Sequence, residues 1–360
     1  MPSPVKVASS ALARALALVA LILPASLLGA QAATAPAATN ASATTPAEAR
    51  RLLSLIADDS LQGRFTGSAG AMAAAQIIAA EMIRAGLEPA GDSAYFQRVP
   101  IYAAASSRPG GREVPRLAES FAALDTFPAA QRRRAVNVVG ILRGSDPVLR
   151  DEYVIVGAHY DHVGANGAAA VNGDSIFNGA DDDASGVVAM LESARQLAAG
   201  GAPKRSVIFV AFIGEENGMT GTRWYLRSPV RPLERTVADL QIEMIGRPDS
   251  LVGGAGKAWL TGYERSTLGE MLAAAGIAVV ADPRPDQNFF RRSDNFPFAQ
   301  QGIPAHTISS FGGHADYHRV SDEVGTIDFA HFAAVINATA RAARVAADGP
   351  KPEWKPGGRP

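Results

Sequence analysis

Residues 153–159 read YVIVGAH, and this short run decides how the chain folds. It is apolar almost throughout, too continuous for a strand with one wet face, so it needs cover on both sides. Similar runs recur at 135–142 (AVNVVGIL), 206–214 (SVIFVAFIG), 240–246 (LQIEMIG) and 303–309 (IPAHTIS). Helical patterns lie between them, as in ASGVVAMLESARQLAAG at 184–200, and two more come earlier. One, from Ala47, stops near Asp58; the other, 68–87, ends at Gly86. Buried strands alternating with helices predict an α/β fold: three αβα layers around a central mixed, mostly parallel sheet.

Outward from that centre the chain divides simply. Residues 1–32 carry Lys6 and Arg14, an apolar run to about Leu28 and the small residues AQA, the pattern of a cleaved signal peptide. The run is short for a bilayer span and Pro24 interrupts it, so export to the periplasm or outside the cell is expected, without a stable membrane anchor. Residues 33–46 read as a flexible lead-in, 47–345 as the folded domain and 346–360 as a loose tail. The polar stretch around 108–134 reads as a long connection or short insertion. The net charge of −1 gives no footprint for nucleic acid. With no cysteine, disulfides and thiolate sites are excluded, and any catalytic metal must rest on His, Asp and Glu.

In sheets of this kind, sites collect at the carboxyl ends of strands. Three of the apolar runs end in metal-ligand chemistry: one in His159-Tyr160-Asp161, one in Glu215-Glu216, one in Glu243. A strand that reaches water also ends in charge, but three such endings with these residue types point to one site. His159 and Asp161, two apart, share a side in extended backbone, so Asp161 could orient a ligating His159 or support another ligand. On the same parity His162 points away and reads as structural. Between 177 and 188 the chain runs FNGADDDASGVV. One of Asp181, Asp182 and Asp183 can cap the helix that follows, and a cation would offset the repulsion among the rest. An EF-hand is excluded, because an apolar helix starts where the loop's later ligands would fall. Glu215 and Glu216 can supply both needs of a hydrolytic zinc site, one carboxylate on the metal and one unligated base. Further on, GGHADYHRVSDE offers His314, Asp316, Tyr317, His318 and Asp322, and spacing alone does not choose between the histidines. The absence of apolar helical periodicity makes 310–320 a loop.

Taken in order, GAHYDHVG, NGADDDASGVVAMLE, FIGEENGMTGTRWY, IEMIGRP, RRSDNFPFAQQGIPA and YHRVSDE resemble the secreted bacterial di-zinc aminopeptidases. These zinc metallopeptidases have relatives in glutaminyl cyclase and glutamate carboxypeptidase. The resemblance covers about 47–345. It implies two Zn²⁺ per chain, with Asp182 bridging them and a cis peptide before Asp183. His159 and Glu243 would complete one ion, Glu216 and His318 the other. Glu215 would be the general base, Tyr317 a donor to the oxyanion, and Asp161 a further residue of the catalytic set. His314 is left as a pocket or structural residue. Many aminopeptidases have Asp where this chain has Glu243, one methylene longer, and that carboxylate lies near the substrate amine, so the departure bears on substrate preference. Asn295 likewise stands where histidine is common. The implied activity is removal of N-terminal residues from peptide substrates. The alternatives are a single-zinc acyltransferase of the glutaminyl cyclase kind, or a di-zinc carboxypeptidase or dipeptidase.

Overall fold

The computed structural model describes residues 42–107 and 111–360, all within one compact unit. The expected signal peptide and most of the lead-in lie outside the described residues. A nine-stranded sheet forms the centre. In chain order its strands are β1 (Glu88–Pro89), β2 (Phe96–Arg98), β3 (Val136–Leu142), β4 (Tyr153–His159), β5 (Ser206–Phe212), β6 (Thr236–Ile242), β7 (Ala258–Leu260), β8 (Val279–Ala281) and β9 (Ala305–Ser309). Across the sheet they run β1-β3-β5-β4-β6-β9-β7-β8, with β2 also on β3. The four central strands β5, β4, β6 and β9 are parallel; β3 and β7 join them antiparallel. The mixed sheet with a parallel centre is the one the apolar runs predict.

Both faces are covered because alternate residues of each buried strand enter different apolar clusters. Val154, Val156 and Ala158 of β4 pack into the larger cluster. There they meet residues of α1 (Pro46–Ile56), α2 (Ala69–Arg84), α3 (Gly186–Ala199), α5 (Leu268–Ala274) and α7 (Phe329–Asp348). Ile155 faces the smaller cluster, with Ile208 and Phe212 of β5, Tyr225 of α4 (Thr220–Arg227) and Phe298 of α6 (Asn295–Gln300). Burying a side chain of this kind contributes about 1.5 to 3 kcal/mol. Among the described residues no helix is long and apolar enough to cross a membrane.

Two segments differ from expectation. The insertion builds its own three-stranded sheet from Ile101–Ala104, Val114–Leu117 and Arg132–Arg133. The tail is not loose: Trp354 bridges to Ser266 and donates its indole N–H to Gly302 O at 2.9 Å, and Lys355 pairs with Glu270 at 2.7 Å. A Trp that packs near Phe290 and His306 outweighs the Gly and Pro around it. At the other end, the lead-in is already seated by Thr44, whose main-chain N–H donates to Asn337 at 2.9 Å.

Candidate metal centre

All four parallel strands deliver residues to one end of the sheet. His159 is the last residue of β4, Glu215 and Glu216 lie just beyond β5, Glu243 follows β6, and the chain after β9 carries Tyr317 and His318. Two ligand sets result: His159, Asp182 and Glu243, and His162, Asp182, Glu216 and His318. Within each set the ligand atoms lie within 4.8 Å of one another, and Asp182 belongs to both.

The aspartate run explains itself once its three carboxylates are followed separately. Asp181 Oδ1 accepts from the Gly246 N–H at 2.7 Å and its Oδ2 meets His314 Nε2 at 2.9 Å. Asp183 accepts main-chain N–H groups from His159, Gly186 and Met244, at 3.3, 3.0 and 3.0 Å. Only Asp182 faces the histidines of the two ligand sets, with Oδ1 3.3 Å from His159 Nε2 and Oδ2 3.0 Å from His318 Nε2. The Asp182–Asp183 peptide is cis. Glycines bracket the run: a Cβ on Gly179, at φ +54°, would meet Asp182 O at 2.1 Å, and one on Gly186 would meet Ile242 O at 2.2 Å.

Supporting groups fix the rest. Asp161 does not line the pocket. Its Oδ1 accepts from the main chain of Gly214 and Glu215 at 2.7 and 3.1 Å, and its Oδ2 from Thr66 at 2.8 Å. His159 Nδ1 is oriented by the carbonyl of Asp161, at 3.1 Å, rather than by its carboxylate. That leaves His159 Nε2 toward Asp182, the tautomer a ligating histidine needs. Tyr317 lines the pocket and stacks on the His318 ring at 4.0 Å between centroids. Asn295 is a clamp, donating to Phe290 O and accepting from Thr307.

Three supports were not read from the sequence. His162 is buried with Nδ1 2.9 Å from Glu216 Oε1. The strand ends at His159, so alternation no longer governs position 162, and the second histidine of HYDH was the available signal. Arg64, fully buried, donates to the carbonyls of Ile56, Tyr160, Asn178 and Gly179 and so ties the His159 loop to the aspartate run. Asp322 accepts the N–H groups of Asp181 and Asp182 at 3.1 and 3.0 Å and pairs with Arg247 at 3.1 Å.

The charge state favours a cation. Burial and Asp182 oppose ionisation of Glu216, yet the His162 and His318 rings beside it outweigh them and hold it at about 2. Burial disfavours the His318 cation, but Asp182 and Glu216 lift it to about 10. Burial carries Glu243 to about 7, with Asp182 adding to the rise against His159. Burial, Glu243, Asp294 and Glu216 likewise push Glu215 well up against the pull of His159. Protons on histidine thus balance the carboxylates. The Nε2 atoms of His159, His162 and His318 are buried, and no hydrogen bond satisfies them among the described residues. Carboxylate oxygens lie 3.0 to 3.3 Å from two of them, outside hydrogen-bonding geometry. Two imidazole-and-carboxylate sets with a shared aspartate are the donor chemistry of zinc, with open positions left on each ion. Zinc would be held by His159, Asp182 and Glu243 and by Asp182, Glu216 and His318, with His162 orienting Glu216.

Such a fold and donor set define a metal-site hydrolase of the α/β class, and the comparisons give the family. Residues 137–343, more than half of the chain, match Peptidase family M28, and the chain belongs to that family. A protein of Pyrenophora teres f. teres described as a probable zinc metalloprotease is 38% identical over 110 residues, 30% of this chain and 22% of that protein. A Pyricularia oryzae protein of the same description is 35% identical over 117 residues, 31% of this chain and 21% of its own length. The match thus spans less than a quarter of these relatives. Among solved structures, a zinc aminopeptidase from Bacillus subtilis superposes with a TM-score of 0.61 at 16% identity, covering 84% of this chain and 96% of that one. Porphyromonas gingivalis glutaminyl cyclase gives 0.57 at 18%, covering 83% and 97%. A Zn-dependent exopeptidase from Parabacteroides distasonis gives 0.55 at 18%, again 83% and 97%. At these identities the likeness is one of fold.

Proposed function

We propose that this chain is a zinc-dependent exopeptidase, an aminopeptidase that removes N-terminal residues from peptides. The observation that carries the reading is Asp182 shared by two ligand sets, with Glu215 beside them in neither set. When bound, the two ions would supply an activated water and polarise the scissile carbonyl. Glu215 takes a proton from the attacking water and returns it to the leaving amine. Asp161 holds the main chain of Gly214 and Glu215 and so fixes where the base stands. The Tyr317 hydroxyl, on a ring packed against His318, donates to the developing oxyanion, a contribution often worth about 3 to 4 kcal/mol.

The test is a panel of aminoacyl-nitroanilides and blocked peptides on zinc-loaded protein, with metal counted in parallel. Two zinc ions and hydrolysis that requires a free N-terminus are expected. One zinc with cyclisation of an N-terminal glutaminyl peptide would replace this reading by the acyltransferase one. Cleavage only from the C-terminus would make it a carboxypeptidase. Residues 1–32 would direct export; N-terminal sequencing of the mature protein, expected to start near Ala33, checks this.

A further inference from the structure

The pocket beside the ligand sets, open to solvent, has a lining of two chemistries. Asp182, Glu215, Glu216 and Glu243 are acidic; Trp259, Phe289, Phe311 and Tyr317 are aromatic. Arg292 is the one Lys or Arg among the lining residues. Nearby arginines are committed to carboxylates: Arg247 to Asp316 and Asp322, Arg284 to Asp249. The Arg292 guanidinium has no ion pair or side-chain hydrogen bond among the described residues. Its central carbon instead lies 4.8 Å from the Phe289 ring centroid. A guanidinium resting on an aromatic ring is pre-positioned, and its planar fork of donors suits a carboxylate held by two parallel bonds. The Trp259 ring packs on the same Phe289 at 5.3 Å, and its buried indole N–H also lacks an acceptor.

We infer that Arg292 binds a carboxylate of the substrate, so that the preferred peptides carry one close to the scissile bond. Of the pocket's lining residues, Arg292 is the one whose guanidinium is left without a carboxylate partner among the described residues, and so is free to take such a group. The carboxylate can be the C-terminus of a di- or tripeptide or an acidic side chain. This inference rests on the peptidase reading for its substrate.

Zinc-loaded wild type, Arg292→Gln and Arg292→Lys are compared on leucylalanine, leucylalanine amide, leucylglutamate α-amide and leucylglutamine amide. Wild type should favour a carboxylate-bearing peptide over its neutral partner by about tenfold or more, chiefly in KM. The ratio should fall to about one in Arg292→Gln and recover in part in Arg292→Lys. An advantage only for leucylalanine identifies the C-terminus as the source, and one only for leucylglutamate α-amide the side chain. No acid preference in wild type, or an unchanged ratio in Arg292→Gln, overturns the inference. If no peptide is hydrolysed, the peptidase reading fails while Arg292 is still decided by binding. Metal-free wild type, titrated with leucylglutamate by tryptophan fluorescence, should then bind it about tenfold more tightly than Arg292→Gln does. Equal affinities would refute the role.

Discussion

At the scale of single residues, position and partner separate roles that residue type leaves merged. Glu215 and Glu216 are neighbours, but only Glu216 is held by histidines, at 2.9 and 3.1 Å. Glu215→Gln should therefore keep two zinc ions and lower kcat by about 10² to 10⁴, whereas Glu216→Gln should weaken one ion; elemental analysis beside turnover distinguishes them, and the opposite pattern would exchange their roles. Asp182→Ala should lose most of both ions, and full metal content in that variant would rule out a bridge. Zinc uptake should also depend on pH. His318, lifted to about 10, holds a proton that metal must displace. Zinc affinity should then rise with pH between 6 and 9, by up to about tenfold per unit for each proton released, as chelator competition can follow. Arg64 belongs to the same scale. Its loss leaves the carbonyls of Ile56, Tyr160, Asn178 and Gly179 without a donor, so Arg64→Met should cost about 3 kcal/mol or more in urea unfolding of the metal-free protein.

Elements were legible in proportion to how strongly the core writes on them. The runs in β3 to β6 and β9 are buried along nearly their whole length, and their apolar continuity announces them. The margins were not legible, because β7 and β8 have three residues each and β1 two, too few for a pattern. The residues that gather at the metal centre could be read because each sits at the end of a legible strand or in a motif of distinct order. His162, Arg64 and Asp322 could not, since their roles are set by loop geometry and by carbonyls far away in sequence. β9 also carries a pH response. His306 is fully buried, with Nδ1 2.7 Å from Thr261 O and Nε2 2.7 Å from Ser266 Oγ. A carbonyl only accepts, so Nδ1 bears the hydrogen and Nε2 accepts from Ser266; a second proton would break that bond. Burial brings this histidine down from 6.5 to about 4. The unfolded chain thus binds the extra proton first, and stability is lost as pH falls from about 6.5 toward 4, by at most about 3 kcal/mol. Urea midpoints of wild type and His306→Gln at pH 7 and 4.5 should show a smaller acid loss in the variant.

Taken as a whole, the described part of the molecule is tied near both of its limits. Thr44 reaches Asn337 of α7, and Trp354 reaches Gly302 before β9. Trp354→Ala should lower stability by about 2 to 3 kcal/mol, measurable by calorimetry, while a tail without contacts would show no change. Chelation should lower the melting temperature, and zinc should restore it, because the ligands tie four strand ends together. The strand order has a further consequence for biosynthesis. β4, at the middle of the sheet, takes its neighbours from strands begun some fifty and eighty residues later in the chain, and β9 must still come before the parallel core is complete. A nascent chain emerging from the ribosome therefore holds its central strand without both partners until residue 242 has been made. His318 is made later still, so the second ligand set is completed only after the first. The parallel core is completed only when β9 has been made, and until then the chain remains threadable.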